Sequence, residues 1–306
     1  MTTPPDLSDP TPGVTGATAE TPTAPPPVPA RPELTNRPEI TDRRHAALIA
    51  GLGLCTVIPF LTWLAWLQAQ DRSAAAIGMS DMHMNQMSVF WAFPVLQATG
   101  IAALIWAYAG VALGLVESGR GIRWLPLSRR GLDRLHRHIS LLVIVLIAVH
   151  ALATAYDAMG DSLLTILVPG QESWGAAKWS YDLGIIAFYL ALLLGPTYYL
   201  RRRIGMRAWR FAHRFAVVVY VLSVWHTLII GADVSYYGWV RPFMWLLQLP
   251  LLALLGRRLL RPARRYRTRA AAAIRYGLAI ICAAAAAGIV IAVSTGGYLT
   301  LVHTIQ

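Results

Sequence analysis

The chain has 306 residues, 56% of them apolar and only 14% charged, with 27 basic residues against 15 acidic ones for a net charge of +12. Ordinary soluble domains are about 25% charged, so this composition excludes a typical soluble enzyme and points to a membrane protein. The basic excess does not indicate nucleic acid, because the arginines sit in short blocks between apolar segments, where they act as topology signals.

In chain order, residues 1–43 come first, with the runs PTPG and TAPPPVPARP. They lack an apolar face to bury and are expected to form a disordered, Pro-rich cytoplasmic tail. No apolar h-region follows Met1, so a signal peptide is not expected. Seven apolar segments then run approximately over 45–68, 89–115, 135–156, 180–200, 208–231, 239–260 and 276–302. Each reaches or exceeds the roughly 20 residues that cross a hydrocarbon core. Helices are the only regular choice, since an open sheet edge cannot be satisfied in lipid.

The expected fold is an all-α membrane protein with seven transmembrane helices. Residues 44–260 form a six-helix bundle, and 261–306 add a basic loop and a C-terminal seventh helix. Cys55 and Cys282 both fall in apolar runs and are read as packing residues, not as a disulfide. Pro196 is expected to kink the fourth span.

Of the 27 basic residues, 26 are arginine and one is Lys178, and 24 of the 27 fall in the tail and in the 2–3, 4–5 and 6–7 connections. The opposite connections hold Arg72, Lys178 and Arg241 beside Asp71, Asp81, Asp157, Asp161, Glu172, Asp182 and Asp233. The positive-inside rule then predicts a multi-pass protein of the inner (plasma) membrane, with its N-terminus in the cytoplasm and its C-terminus outside.

Five of the eight histidines lie in or at the ends of two spans: His136, His138 and His150 on the third, His213 and His226 on the fifth. An ionisable residue in a span is costly and is a functional candidate by default. The intervals of 14 residues (His136 to His150) and 13 (His213 to His226) each correspond to roughly 20 Å of helix. Both spans run from inside to outside, so His136 and His213 share one depth and His150 and His226 another. Two facing imidazoles in a bundle core suit the axial positions of a haem iron. The expectation is two b-type haems, His136 with His213 and His150 with His226. The separation excludes all four histidines sharing one ion. His138 lies about 200° around the helix from His136 and cannot face the fifth span as well; it is read as a partner of a ligand or of a haem propionate, or most simply as an interfacial polar residue. Thirteen residues is only about 3.6 turns, so His213 and His226 do not align on a straight helix.

The segments LHRHISLLVIVLIAVH (135–150) and YYLRRRIGMRAWRFAHRFAVVVYVLSVWH (198–226) resemble the ferric reductase-like transmembrane domain family, which includes ferric reductases and the membrane part of NADPH oxidases. The basic loop, Trp209, the His213–Arg214 pair, Tyr220 and His226 carry the resemblance, together with the use of the third and fifth helices. It covers about residues 89–255 and implies a di-haem cytochrome b that moves electrons from a cytoplasmic-side donor to an external acceptor, ferric or cupric ion. Family enzymes often carry a cytoplasmic FAD and NAD(P)H domain, but no GxGxxG unit is present here. Any FAD or FMN is therefore expected on a partner flavoprotein, or the donor is a membrane carrier. The NADPH oxidases have a further histidine four residues beyond the outer ligand, where this chain has Thr154, and the second span has no arginine. Metal reduction is thus expected over superoxide production.

The 1–2 connection reads GMSDMHMNQMS, with Met79, Met82, His83, Met84 and Met87 in nine residues. Thioethers select Cu(I), so this loop is a candidate copper site. Arg129, Arg130 and Arg207 are candidates to pair with haem propionates or to dock an acidic flavoprotein. Two alternatives stand beside the reductase: a haem anchor that delivers electrons to a separate extracytoplasmic enzyme, and a haem-free copper-binding or transport protein.

Overall fold

The computed structural model describes residues 38–70, 91–118, 129–157, 162–171, 177–260 and 269–296. Among them there are no strands and eleven helices: α1 (Pro38–Ala69), α2 (Ala92–Ser118), α3 (Arg129–Ala155), α4 (Leu163–Leu167), α5 (Ala177–Ile204), α6 (Met206–His213), α7 (Ala216–Ile230), α8 (Ala232–Tyr236), α9 (Val240–Leu246), α10 (Gln248–Leu260) and α11 (Arg269–Thr295).

Seven stretches are long and apolar enough to cross a membrane, so the chain is an all-α, multi-pass membrane protein. Five of the spans are α1, α2, α3, α5 and α11; the other two are the consecutive pairs α6–α7 and α9–α10. The expected boundaries hold to within a few residues except at three starts: α1 begins at Pro38 and not near 45, so helix reaches into the segment 1–43 expected to be disordered, α3 begins at Arg129 and not near 135, and α11 begins at Arg269 and not near 276. The run AAAAI favours helix strongly, and Arg269 and Arg275 can keep their charged heads in water while their stems line an apolar turn. Helix α5 runs unbroken through Pro196.

Two short helices are not visible in the hydropathy. In α4, Ser162 is the N-cap and its hydroxyl oxygen accepts from the Thr165 N–H at 3.2 Å, satisfying a donor that the first turn leaves open. Helix α8 follows α7 through the single residue Gly231.

Helix α2 is the centre of the bundle, packing against α1, α3, α7 and α10. Its buried positions include Ala92, Ala98, Ala102 and Ala103. Small side chains let backbones approach closely where lipid supplies no hydrophobic drive for helix association. Ala102 and Ala103 meet Leu142 and Leu146 of α3 in one cluster. A second cluster joins Leu115 of α2, Tyr220, Val224 and Leu228 of α7, Val234, Met244 of α9 and Leu251 of α10. Two polar pairs join helices inside the spans: the Trp106 indole N–H donates to the Thr56 hydroxyl at 3.0 Å, and the Tyr220 hydroxyl to Gln248 Oε1 at 2.8 Å. Helix α11 lies at the edge, against α9 and α10. Large apolar side chains such as Leu193, 67% exposed, and Ile280, 69% exposed, point outward. Such faces are stable in a hydrocarbon solvent and not in water.

Helices α5 and α6 are joined by Gly205 alone, at φ +85°. That left-handed value is costly for a residue with a β-carbon. Gly205 N–H donates to Arg201 O at 3.1 Å, and Trp209 N–H donates to Gly205 O at 3.0 Å. The chain therefore leaves one helix and enters the next with no loop between them.

Candidate functional site

Helix α3 packs against α1, α2 and α5, and α7 packs against α2, α5 and α8, but α3 and α7 are not close-packed on each other. Imidazoles fill the space between them. His136 and His213 have ring centroids 5.8 Å apart with planes at 84°. His150 and His226 have centroids 6.2 Å apart with planes at 89°. Both couples expected from the sequence are thus formed, one at the arginine-rich end of the bundle and one towards the opposite end. His136 and not His138 faces the partner helix, and His138 is buried at 8% exposed.

A metal–imidazole bond is about 2 Å long, and adding ~1.1 Å from nitrogen to ring centre on each side puts two rings that grip one ion from opposite faces about 6 Å apart. Both measured separations match that value. Among the described residues there is no group of three or more His, Cys, Asp or Glu side chains able to hold a metal. Each couple therefore offers two ligands on one axis, which suits an ion whose other positions are filled by a macrocycle.

The backbone fixes which ring nitrogen faces the gap. His150 Nδ1 lies 2.7 Å from Leu96 O, and His226 Nδ1 lies 2.8 Å from Ser180 O. A carbonyl only accepts, so Nδ1 carries the proton in each ring and Nε2 is left as the lone-pair donor. Ser180, fully buried, also donates its hydroxyl to His226 O at 3.1 Å, which ties α5 to α7 twice. His213 is held differently: its ring stacks on Trp209 at 5.2 Å with planes at 18°. His136 Nδ1 is buried without a hydrogen-bond partner.

Glycines stand behind three of the four rings. A β-carbon on Gly100 would lie 2.9 Å from His150 Nδ1, one on Gly114 3.3 Å from His136 Cε1, and one on Gly184 2.7 Å from His226 Nδ1. Gly100 and Gly114 lie on α2, antiparallel to α3, and repeat its interval of 14 residues in reverse order. Sequence reasoning missed these three residues, and the repeated interval was the signal that would have found the first two.

The short 13-residue interval on the fifth span is offset in part by local winding. On a straight α-helix His213 and His226 would be about 140° short of four full turns. Between α6 and α7 the N–H groups of Arg214, Phe215 and Val217 donate to carbonyls three residues back, at 3.1, 2.9 and 3.3 Å. Such 3₁₀ bonding adds about 20° per residue, roughly 60° over three residues, and so turns His226 part of the way back towards α3.

Met79, Met82, His83, Met84 and Met87 lie outside the described residues, as do the side chains of Arg129 and Arg130; Arg207 is exposed on α6. The candidate copper loop therefore has no structural description.

Residues 99–224 match the family described as ferric reductase like transmembrane component. The match contains His136, His150 and His213 and ends two residues before His226. No curated protein and no solved structure matches the chain significantly. Residues 99–224 of the chain are thus similar to the ferric reductase like transmembrane component family.

Proposed function

We propose that this membrane oxidoreductase component is a di-haem b electron carrier that takes electrons from a cytoplasmic-side donor and delivers them to an external acceptor, ferric or cupric ion. One observation carries the reading: two imidazole couples, each with the spacing of an axial pair, lie roughly 20 Å apart along the two spans. The residues fit the group. Two Nε2 atoms are aimed into the gap by Nδ1–carbonyl bonds, the ligand count is two per site, and the helices that supply them are held apart.

Haem, when bound, supplies a one-electron carrier at each level of the bilayer. The chain's own residues do the rest. Gly100, Gly114 and Gly184 let neighbouring helices close on the ligand rings, so the rings cannot swing out of line. The bundle core keeps water away, which favours neutral imidazole as the ligand form. Held by His136 with His213 or by His150 with His226, a haem would carry electrons and would have no place left to bind O2. Arginine asymmetry puts the His136–His213 couple on the cytoplasmic side, where a separate flavoprotein or another reduced carrier supplies electrons.

The test is the absorbance of the purified, dithionite-reduced protein together with its haem-to-protein ratio. Wild type should show the α-band of reduced haem b and hold about two haems, and His136→Ala and His226→Ala about one each. A colourless preparation, or a ratio untouched by both substitutions, overturns the proposal. A colourless protein that still binds copper would favour the haem-free alternative.

A further inference from the structure

A second group of side chains gathers at the arginine-rich end, beside the His136–His213 couple, and neither couple uses it. Arg137 of α3 places its guanidinium carbon 5.1 Å from the ring centre of Tyr198 on α5. Arg201, one turn further along α5, sits 3.8 Å from the same ring and 6.0 Å from the ring of Trp209 on α6. Tyr198 and Trp209 meet edge to face at 6.2 Å, and Trp209 in turn stacks on His213. The one-residue turn at Gly205 brings α5 and α6 close enough for this contact.

Two guanidinium groups thus share one tyrosine ring, and neither has a carboxylate partner among the described residues. Three nitrogens here are buried with no hydrogen-bond partner: Arg137 Nε, Trp209 Nε1 and His136 Nδ1. Buried N–H groups are normally satisfied, and an unsatisfied cluster calls for a ligand. Like charges held close together are unfavourable unless an anion lies between or beside them. Cation–π contact offsets part of that repulsion but leaves the in-plane N–H groups of each guanidinium open. Those N–H groups form a fork that matches carboxylate or phosphate oxygens.

We infer that Arg137, Arg201 and Trp209 form an anion-binding site for the carboxylate or phosphate oxygens of a redox-active ligand at the entry end of the electron path. The inference rests on the di-haem reading for the word redox and on the cluster itself for the word anion. The oxygens come either from the propionates of a haem held by His136 and His213, or from the phosphate of a separate flavin donor. The indole of Trp209 touches both the anion site and the His213 ring, so the ligand's charged group would lie one aromatic ring away from that imidazole.

The experiment compares wild type with Arg137→Gln, Arg201→Gln and Trp209→Phe, purified as the full chain and matched by thermal melting. Trp209→Phe keeps the stack on His213 and removes only the indole N–H. Three probes are titrated: haem b, haem b dimethyl ester, whose propionates are blocked, and flavin mononucleotide followed by its fluorescence. If the propionates are the anion, each arginine variant binds haem b about tenfold or more weakly at one of the two sites, whereas the dimethyl ester binds wild type and variants alike. If a flavin phosphate is the anion, flavin mononucleotide binds wild type, weakens about tenfold in each arginine variant, and leaves haem content unchanged. Haem b and flavin affinities that stay within twofold of wild type in both arginine variants overturn the site. A preparation that takes up no haem but still binds flavin mononucleotide through Arg137 and Arg201 would overturn the di-haem reading and leave the anion site standing. Should a glutamine variant fail to fold, Arg201→Lys keeps the charge, lacks the fork and is read in the same way.

Discussion

Gly184 lies so close behind the ring of His226 that a single added β-carbon would stand 2.7 Å from Nδ1 and 2.8 Å from Cε1. The neighbour in the way is an imidazole ring pinned by Ser180 and not a flexible side-chain tip. Gly184→Ala should therefore displace His226, break the bond from Nδ1 to Ser180 O and cost ~1–3 kcal/mol. The haem-to-protein ratio should fall from about two towards one. Gly51 and Gly288, with nothing within 4 Å of an added β-carbon, provide the control: alanine there should leave the ratio unchanged. Equal ratios for Gly184→Ala and Gly288→Ala would show that the glycine does not position the ligand.

Gly205→Ala tests the turn between α5 and α6. At φ +85° a β-carbon costs about 1–2 kcal/mol. The loss should appear as a lower melting temperature in detergent. The strain should also loosen the contact between Tyr198 and Trp209, read as a shift in tryptophan emission. A melting temperature equal to wild type would mean that the turn relaxes freely.

Asp233 gives a pH dependence with a defined sign. Its carboxyl, outside the spans, accepts from Gln97 Nε2 at 3.2 Å, and its other oxygen is buried without a hydrogen-bond partner. Burial raises its pKa above the ordinary carboxylate value. An acid whose folded value is raised binds more protons folded than unfolded. Its contribution is therefore complete below the unfolded value of about 3.9 and is lost as pH rises through the folded one. Asp233→Asn keeps an acceptor for Gln97 and cannot ionise. Melting temperatures taken from pH 4 to pH 8 should show the variant gaining on wild type as pH increases. A gap that widens towards acid instead would refute the assignment.

The hydrogen bond from Tyr220 to Gln248 joins α7 to α10 inside the span region. Tyr220→Phe should cost about 0.5–1.5 kcal/mol, most of it from leaving Gln248 Oε1 unpaired. Adding Gln248→Leu should recover a good part of that loss, because replacing both partners removes the orphan. A double variant no more stable than Tyr220→Phe would mean that the bond has no coupling energy.

The spans and the couples were legible because hydropathy and a polar residue repeated at membrane depth are one-dimensional signals. His136, His150, His213 and His226 announce themselves as costly groups in apolar runs. What the sequence hid was relational. The misalignment of His213 and His226 is reduced by three 3₁₀ bonds at Arg214–Val217, which no residue type in that stretch demands. The carbonyls of Leu96 and Ser180 orient two ligands, and a carbonyl has no letter of its own. The burial of His138 was equally hidden, since it depends on which helices pack around that turn of α3. Arg137, Tyr198, Arg201 and Trp209 are ordinary topology and interface residues one by one, and become a site only when Gly205 folds α6 back beside α5.

The near-perpendicular ring planes of both couples have a magnetic consequence. Crossed imidazoles would split the two π-type d orbitals of a low-spin ferric ion, dxz and dyz, very little, since each ring would interact with a different one. An oxidised iron held in either couple would then give a strongly anisotropic paramagnetic resonance signal with its lowest-field feature far from the others. Twisting one ring towards its partner's plane, as an intruding methyl group behind His226 would do, should collapse that signal towards an ordinary rhombic pattern.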